Sequence, residues 1–167
     1  MGRIYPLDWR TGLALELALL VAMLFTPRPY GYLVALAMPL FWRHIKWAAT
    51  EKSYLSAGLA VYVATFLADF FYVGPPPDVP PWWEAVVLAP LAEEFLFRAL
   101  PFAILPAPAA WFISVPLFGA LHPANQLIAS LYGFSLALVY RGGGYVASVL
   151  LHSFNNAVWM ALATRSF

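Results

Sequence analysis

The sequence predicts an all-α protein, a polytopic bundle of about seven membrane helices, within a range of about six to eight. Of the 167 residues, 63% are hydrophobic and only 10% are charged, whereas a soluble domain carries roughly 25% charged residues. Apolar runs recur along the whole chain, and none alternates polar and apolar residues as a half-buried strand would. The polar surface is too small to coat a water-exposed globule, which indicates an integral membrane protein.

Candidate spans are apolar runs judged against a hydrocarbon core of about 30 Å, which a helix crosses in about 20 residues. In chain order the runs are 11–25, 30–42, 54–73, 82–105, 109–121, 126–140 and 144–163. The third, fourth and seventh are close to full length, and the shorter ones can tilt or be shielded by neighbours. We predict one transmembrane domain over residues 1–167, with N-terminal helices in 11–73 and a second part in 82–163.

The breaks between the runs bear on topology. The proline-rich segment 74–81 predicts a stiff, extended linker, and the glycine triplet 142–144 predicts a tight turn between two helices. The loop 43–52 carries the densest basic charge, and the positive-inside rule places it in the cytoplasm. By the same count of spans, Arg141 falls on that side too.

Charges inside the fourth run are the first functional candidates, because ionisable groups within a span are costly and usually face the protein interior or a water-filled cavity. Glu94 and Arg98 are four residues apart, in the order that favours an ion pair, while the adjacent Glu93 points about 100° away. We expect Arg98 to hold Glu94 and leave Glu93 free to act as a general base. The same cluster could also serve only to join helices.

Two histidines in later runs favour catalysis. Phe118 and His122 are four residues apart, as are His152 and Asn156, so each histidine shares a helix face with its companion. A single histidine on an apolar helix is more often a hydrogen-bonded core residue. Two of them, with a glutamate pair and an amide, supply the base, proton carriers and donors that water attack on a carbonyl needs. We expect these histidines and Asn156 to line one cavity with Glu93.

These three spacings resemble the motifs of the CAAX protease and bacteriocin-processing (CPBP or Abi) family of intramembrane proteases, which includes the Ras-converting type of CAAX prenyl endopeptidase. The resemblance covers about residues 82–163. It implies an intramembrane endopeptidase that cuts a membrane-associated protein or peptide, and we expect a multi-pass protein of a prokaryotic cell membrane. The implied site has Glu93 as the base with His122 beside it, His152 and Asn156 on the oxyanion side, and Glu94, Arg98 and Phe118 as supports.

Metal dependence is open at this point. Such proteins are often labelled metalloproteases, and His122 with His152 could bind Zn²⁺ beside Glu93. The sequence has no HExxH motif, which would place two ligands and the base on one helix. A metal-free glutamate mechanism uses the same residues without a third firm ligand. We therefore expect no cofactor, with zinc as the alternative.

Two other function classes are compatible with the composition. A small proton-coupled transporter would line a path with Glu and His and would favour repeated halves, which the sequence lacks. A non-catalytic immunity or scaffold protein of the same fold would predict a broken motif, whereas the polar motif positions are intact. The absence of cysteine excludes thiolate catalysis, and no basic run is long enough to bind nucleic acid. The expected partners are a membrane-associated substrate and the lipid bilayer.

Four further residues carry smaller expectations. Glu16 and Asp69 are acids near the ends of their runs, and we expect both to be solvated near the headgroups. Pro90 and Pro116 are expected to distort the helices that carry the motif residues.

Overall fold

A computed structural model describes residues 8–76 and 79–164, so Pro77 and Asp78 of the predicted linker lie outside the described residues. Every regular element in those ranges is helical, which confirms the all-α class. The elements are α1 (Trp9–Phe25), a 3₁₀ helix (Tyr30–Phe41), α2 (Lys52–Tyr72), α3 (84–104), α4 (Ala107–Ala120) and α5 (Gln126–Ala163). Side chains cap two of these helices: Asp8 accepts from the backbone of α1, and Asn125 accepts from the amide of Ile128 in α5.

Two of the described helices, α2 with 21 residues and α5 with 38, are long and apolar enough to cross a membrane. The predicted count of about seven spans is therefore not confirmed, although each of the seven apolar runs contains helix. The difference arises because α1, the 3₁₀ helix and α4 are short, and because α3 is interrupted by π-helical turns and carries several charged residues. In addition, α5 joins two of the predicted runs across a kink at Gly144.

The two halves of α5 run in opposite directions along α2. The contacts that establish this are Ser135 with Gly58 and Tyr132 with Asp69 in the first half, and Asn155 with Tyr62 and Trp159 with Phe70 in the second. In the first half of α5, residues with higher numbers contact residues of α2 with lower numbers. In the second half, the residue numbers of the contacting pairs increase together. The halves are therefore antiparallel, and the predicted turn at 142–144 is confirmed.

The turn needs glycine because another backbone lies against it. Gly144 has φ +79°, and a Cβ built there would come within 2.5 Å of the backbone nitrogen of Ala48. The carbonyl of Gly142 accepts from the amides of Thr50 and Glu51 at 3.1 and 3.3 Å. The loop before α2 is thus fastened to the turn in α5 by backbone hydrogen bonds.

Proline widens α3 and α4 at three places into π-helical turns. These turns are Glu84–Leu88 before Pro90, Phe95–Ala99 before Pro101, and Ile113–Leu117 around Pro116. A proline ring removes one amide donor and crowds the carbonyl four residues earlier, so the amides just before Pro90 and Pro101 bond five residues back instead of four. The distortions expected at Pro90 and Pro116 take this form.

The main core surrounds α3, where residues 95–97 and 99–100 are almost completely buried. α1 packs on the C-terminal part of α3 through Gly12, Glu16 and Leu20, which are spaced four apart and form its buried face. Glu16 is fully buried, and its two carboxylate oxygens have no hydrogen-bond partner among the described residues. The expectation that Glu16 reaches the headgroups is wrong, because it lies on the face of α1 that packs inward.

Candidate active site

Glu94 is the centre of the charged cluster on α3. Its side chain and that of Arg98 are both fully buried, and Arg98 Nη1 donates to Glu94 Oε1 at 3.0 Å. A charge removed from water needs a close partner of opposite sign, and this geometry provides one. The ion pair expected from the four-residue spacing is present.

His152 makes a second bond to the same carboxylate. Its Nδ1 lies 2.8 Å from Glu94 Oε1, and because a carboxylate ion only accepts, Nδ1–H is the donor. Nε2 then lies 3.9 Å from Glu93 Oε2. Sequence reasoning missed the bond to Glu94, since it joins α3 to α5 and no local spacing signals a contact between distant helices.

Phe118 packs against three of the polar motif residues. The guanidinium carbon of Arg98 lies 4.1 Å from the Phe118 ring centroid, within range of a cation–π contact. Nε and Nη2 of Arg98 have no hydrogen-bond partner in the described part of the chain. The aromatic face of Phe118 therefore stabilises a guanidinium whose hydrogen-bonding capacity is only partly used. The rings of His122 and His152 lie 4.3 and 6.4 Å from the same centroid.

His122 lies just after the end of α4 and is held by the last turn of that helix. Its Nδ1 lies 2.7 Å from the carbonyl oxygen of Phe118, so Nδ1–H donates and Nε2 is left for other partners. The four-residue spacing between Phe118 and His122 therefore fixes the histidine through the backbone of the first residue as well as through the ring contact.

Asn156 reaches α3 at a carbonyl that proline has freed. Asn156 Nδ2 donates to the carbonyl oxygen of Ala85 at 2.8 Å. In the π-helical turn the amide of Ala89 bonds to Glu84, and the residue five after Ala85 is Pro90, which has no N–H. The carbonyl of Ala85 thus lacks a helical donor, and the side chain from α5 supplies one.

Two adjoining cavities meet at His122. The larger, about 290 Å³, is lined by Glu93 and His122 together with the end of α1 and the turn after it. The smaller, about 110 Å³, is lined by His122, His152 and Asn156. Glu93 lines the larger space and His152 the smaller, and His122 lines both, so the single cavity expected for these residues stays a prediction. Phe118 lines the smaller cavity, and its ring is tilted by 42° against that of His122.

A comparison with protein families matches residues 75–158, half of the chain, to the Rce1-like family, described as type II CAAX prenyl endopeptidase Rce1-like. The chain belongs to this family. The match includes all seven motif residues and confirms the resemblance inferred from their spacing. It also supports CAAX-type protease activity in general and a location in a membrane. No curated protein and no solved structure matches the chain.

Among the residues that the structure describes, the donor groups of this Rce1-like site do not form a complete zinc site. Catalytic zinc takes three protein ligands, and within residues 8–76 and 79–164 no three His, Asp or Glu side chains lie together closely enough to hold an ion. His122 and His152 each use Nδ1 for a hydrogen bond, so one nitrogen of each ring is left as a potential ligand. A zinc ion bound by these two histidines would need a third ligand that the His, Asp and Glu side chains of the described residues do not place beside them.

Four polar residues near the Rce1-like motifs had no signal in the sequence. Tyr62 and Tyr132 line the smaller cavity, and Arg28 and Tyr32 line the larger one. All four belong to helices or loops outside the motif segments. Only their packing in the folded chain brings them to the site.

Proposed function

We propose that this chain is an intramembrane endopeptidase of a prokaryotic cell membrane. It hydrolyses a peptide bond of a membrane-associated protein or peptide with water activated by Glu93. The main support for the proposal is the position of His152 between the two glutamates. Its Nε2 lies 3.9 Å from Glu93 Oε2, and its Nδ1–H donates a hydrogen bond to Glu94.

That separation fits a water molecule bound by both groups. Two acceptors 3.9 Å apart can each contact one water at an ordinary distance of about 2.8 Å. The Glu93 side chain is 15% exposed and borders the larger cavity, whereas Glu94 is completely buried. Only the first of the adjacent glutamates is therefore accessible to water and substrate.

The proposed reaction balances without an added oxidant or metal. Glu93 takes a proton from the water as its oxygen bonds to the peptide carbonyl carbon, and a tetrahedral intermediate forms. The C–N bond then breaks, and Glu93 returns the proton to the leaving amine. His152 Nε2 accepts a hydrogen bond from the second O–H of the water, which keeps its hydrogen, and so orients the attacking oxygen.

Asn156 is suited to stabilise the negative charge that develops on the carbonyl oxygen. An amide group has two N–H donors, and one of them is used by Ala85, so the other is available to the substrate. The resemblance placed His152 on the oxyanion side as well. A neutral His152 with its hydrogen on Nδ1 cannot donate from Nε2. We therefore assign Nε2 to binding the attacking water, and Asn156 remains the donor to the carbonyl oxygen. His122 lies beside the substrate in the larger cavity.

The test compares purified wild-type protein with Glu93→Gln and Glu51→Gln variants. Glu51 is an exposed carboxylate in the loop before α2, so Glu51→Gln removes the same charge away from the site. Each protein is incubated in lipid with the membrane proteins of its host, and new N-termini are mapped by mass spectrometry. We expect shared cleavage sites for wild type and Glu51→Gln and none for Glu93→Gln. Identical maps for wild type and Glu93→Gln would refute the proposal and favour a non-catalytic scaffold or a transporter.

A further inference from the structure

The smaller cavity has a polar lining that the proposed mechanism uses only in part. Its polar side chains are His122, His152, Asn156, Tyr62, Tyr132 and Asn155. The first three belong to the family motifs. The last three, contributed by α2 and by both halves of α5, have no part in the mechanism derived above.

These polar groups continue as a chain towards the end of α2. The hydroxyl of Tyr62 donates to Asn155 Oδ1 at 3.1 Å, and the hydroxyl of Tyr132 donates to Asp69 Oδ2 at 3.1 Å. The two tyrosine rings lie 5.9 Å apart. Asp69 is half-buried and lies less than one turn from Tyr72, where α2 ends. The cavity beside His152 is thus connected by polar side chains to one end of the helix bundle.

A cavity of this size and polarity is suited to hold water. The hydrocarbon interior of a bilayer supplies none, so a hydrolase within the membrane needs a route for its second substrate. A cavity needs at least about 10–15 Å³ of probe volume to hold a water, and the water needs two to four polar partners. The volume of about 110 Å³ is several times that minimum, and six of the ten lining residues have polar side chains that can serve as partners.

We propose that the smaller cavity stores the water for hydrolysis. Asp69, Tyr132 and Tyr62 form the polar path by which water reaches the gap between His152 and Glu93. The use of this water rests on the proposed protease function, but its presence beside His152 does not. The two parts can therefore be tested separately.

The presence of water is tested by solid-state NMR of the full chain with ¹⁵N-labelled histidine in phosphatidylcholine bilayers. The sequence has three histidines, and His44 is exposed, so it serves as a hydrated internal standard. We expect magnetisation transfer from water to the ring of His152 in the wild type. Ala129 is a buried residue of the cavity wall, and Ala129→Leu should weaken this transfer, because the stored water is lost while the Glu93 side of the ring stays accessible. Ala157→Leu, at an exposed position of the same helix, should leave it intact.

The use of the water is tested by hydrolysis of a peptide that contains a cleavage site mapped as described above. Tyr132→Phe and Tyr62→Phe each remove one hydroxyl and keep the ring, so they test the path even if Ala129→Leu fails to fold. We expect about tenfold lower kcat with unchanged KM in each, the effect of losing roughly one hydrogen bond on the water side. Ala157→Leu should match the wild type.

Three results would overturn the inference: no water transfer to His152 in the wild type, transfer of the same strength in Ala129→Leu, or unchanged kcat in both tyrosine variants. If wild type and Glu93→Gln instead give the same cleavage map, the proposed function fails. The NMR measurement still decides in that case whether the cavity holds water.

Discussion

His152 is bonded to Glu94 and only faces Glu93. Its Nδ1 lies 2.8 Å from Glu94 Oε1, and its Nε2 lies 3.9 Å from Glu93 Oε2. The two adjacent glutamates therefore act differently on one imidazole. The buried Glu94 orients the ring through Nδ1, and the accessible Glu93 faces Nε2 across the gap that we assign to a water molecule. The predictions below follow from this division and from the packing that maintains it.

Replacement of Glu94 should cost stability, whereas replacement of Glu93 should not. Glu94→Gln leaves Arg98 as an unpaired charge in the core, and breaking a buried pair in this way typically costs about 3–5 kcal/mol. Glu93→Gln keeps the shape of a partly exposed side chain and should abolish cleavage with a melting temperature close to that of the wild type. Thermal unfolding in detergent, together with one cleavage assay, compares the variants.

The double variant Glu94→Gln with Arg98→Met is the control for that prediction. It removes both charges, so no isolated ion is left in the core, and much of the lost stability should return. Equal stability losses for Glu93→Gln and Glu94→Gln, or no recovery in the double variant, would contradict the assignment of Arg98 to Glu94.

Phe118→Leu should destabilise the protein more than an ordinary aromatic truncation does. Phe118 faces the Arg98 guanidinium at 4.1 Å, while Phe41 is a buried core residue of the 3₁₀ helix packed on Phe95. Losing a desolvated cation–π contact should add about 1–2 kcal/mol to the packing cost of the substitution. Thermal melts of Phe118→Leu and Phe41→Leu measure the difference, and equal losses would mean that the ring contributes packing alone.

Gly144→Ala should be much more harmful than Gly74→Ala. Both glycines have positive φ, +79° and +81°, so alanine pays a similar backbone penalty of about 1–2 kcal/mol at each. A Cβ at Gly144 would also meet the backbone of Trp47 and Ala48, whereas none of the described atoms lies within 4 Å of one at Gly74. We expect a clearly lower melting temperature for Gly144→Ala only. Similar melting temperatures would show that the loop before α2 moves aside easily.

Asn156→Ala should reduce kcat far more than Asn155→Ala. Removing one donor to a developing oxyanion typically costs about 10²–10³ in kcat, and Asn156 retains one amide hydrogen for that use. Asn155 instead accepts the hydroxyl of Tyr62 at 3.1 Å, so its loss should affect only the lining of the smaller cavity. Steady-state kinetics with one mapped peptide separate the two, and a larger effect at Asn155 would remove Asn156 from the oxyanion role.

Exhaustive chelation should leave cleavage unchanged, and elemental analysis of the purified protein should give less than one zinc per chain. The reason is that His122 and His152 each have one ring nitrogen committed to a hydrogen bond, and catalytic zinc takes three protein ligands. Stoichiometric zinc that is lost in a His122→Ala variant would establish a metal mechanism while leaving the protease assignment in place.

The helical class, the seven motif residues and the pairing of Glu94 with Arg98 could all be inferred from the sequence. Each of these follows from local regularities: apolar run length, four-residue spacing and the cost of an isolated charge in a span. The turn at the glycine triplet also followed from local chemistry, since few residues other than glycine tolerate positive φ. Family membership follows from the same three spacings.

Contacts between residues of different helices could not be inferred in the same way. The bond from His152 to Glu94, the use of the Ala85 carbonyl by Asn156, and the division of the site into two cavities all depend on how α3, α4 and α5 pack. The inward face of α1 likewise buries Glu16, which its position in the run did not indicate. Helical periodicity assigns each side chain to a face of its own helix. It contains no information about which other helix that face will contact, because that choice depends on the packing of the whole bundle.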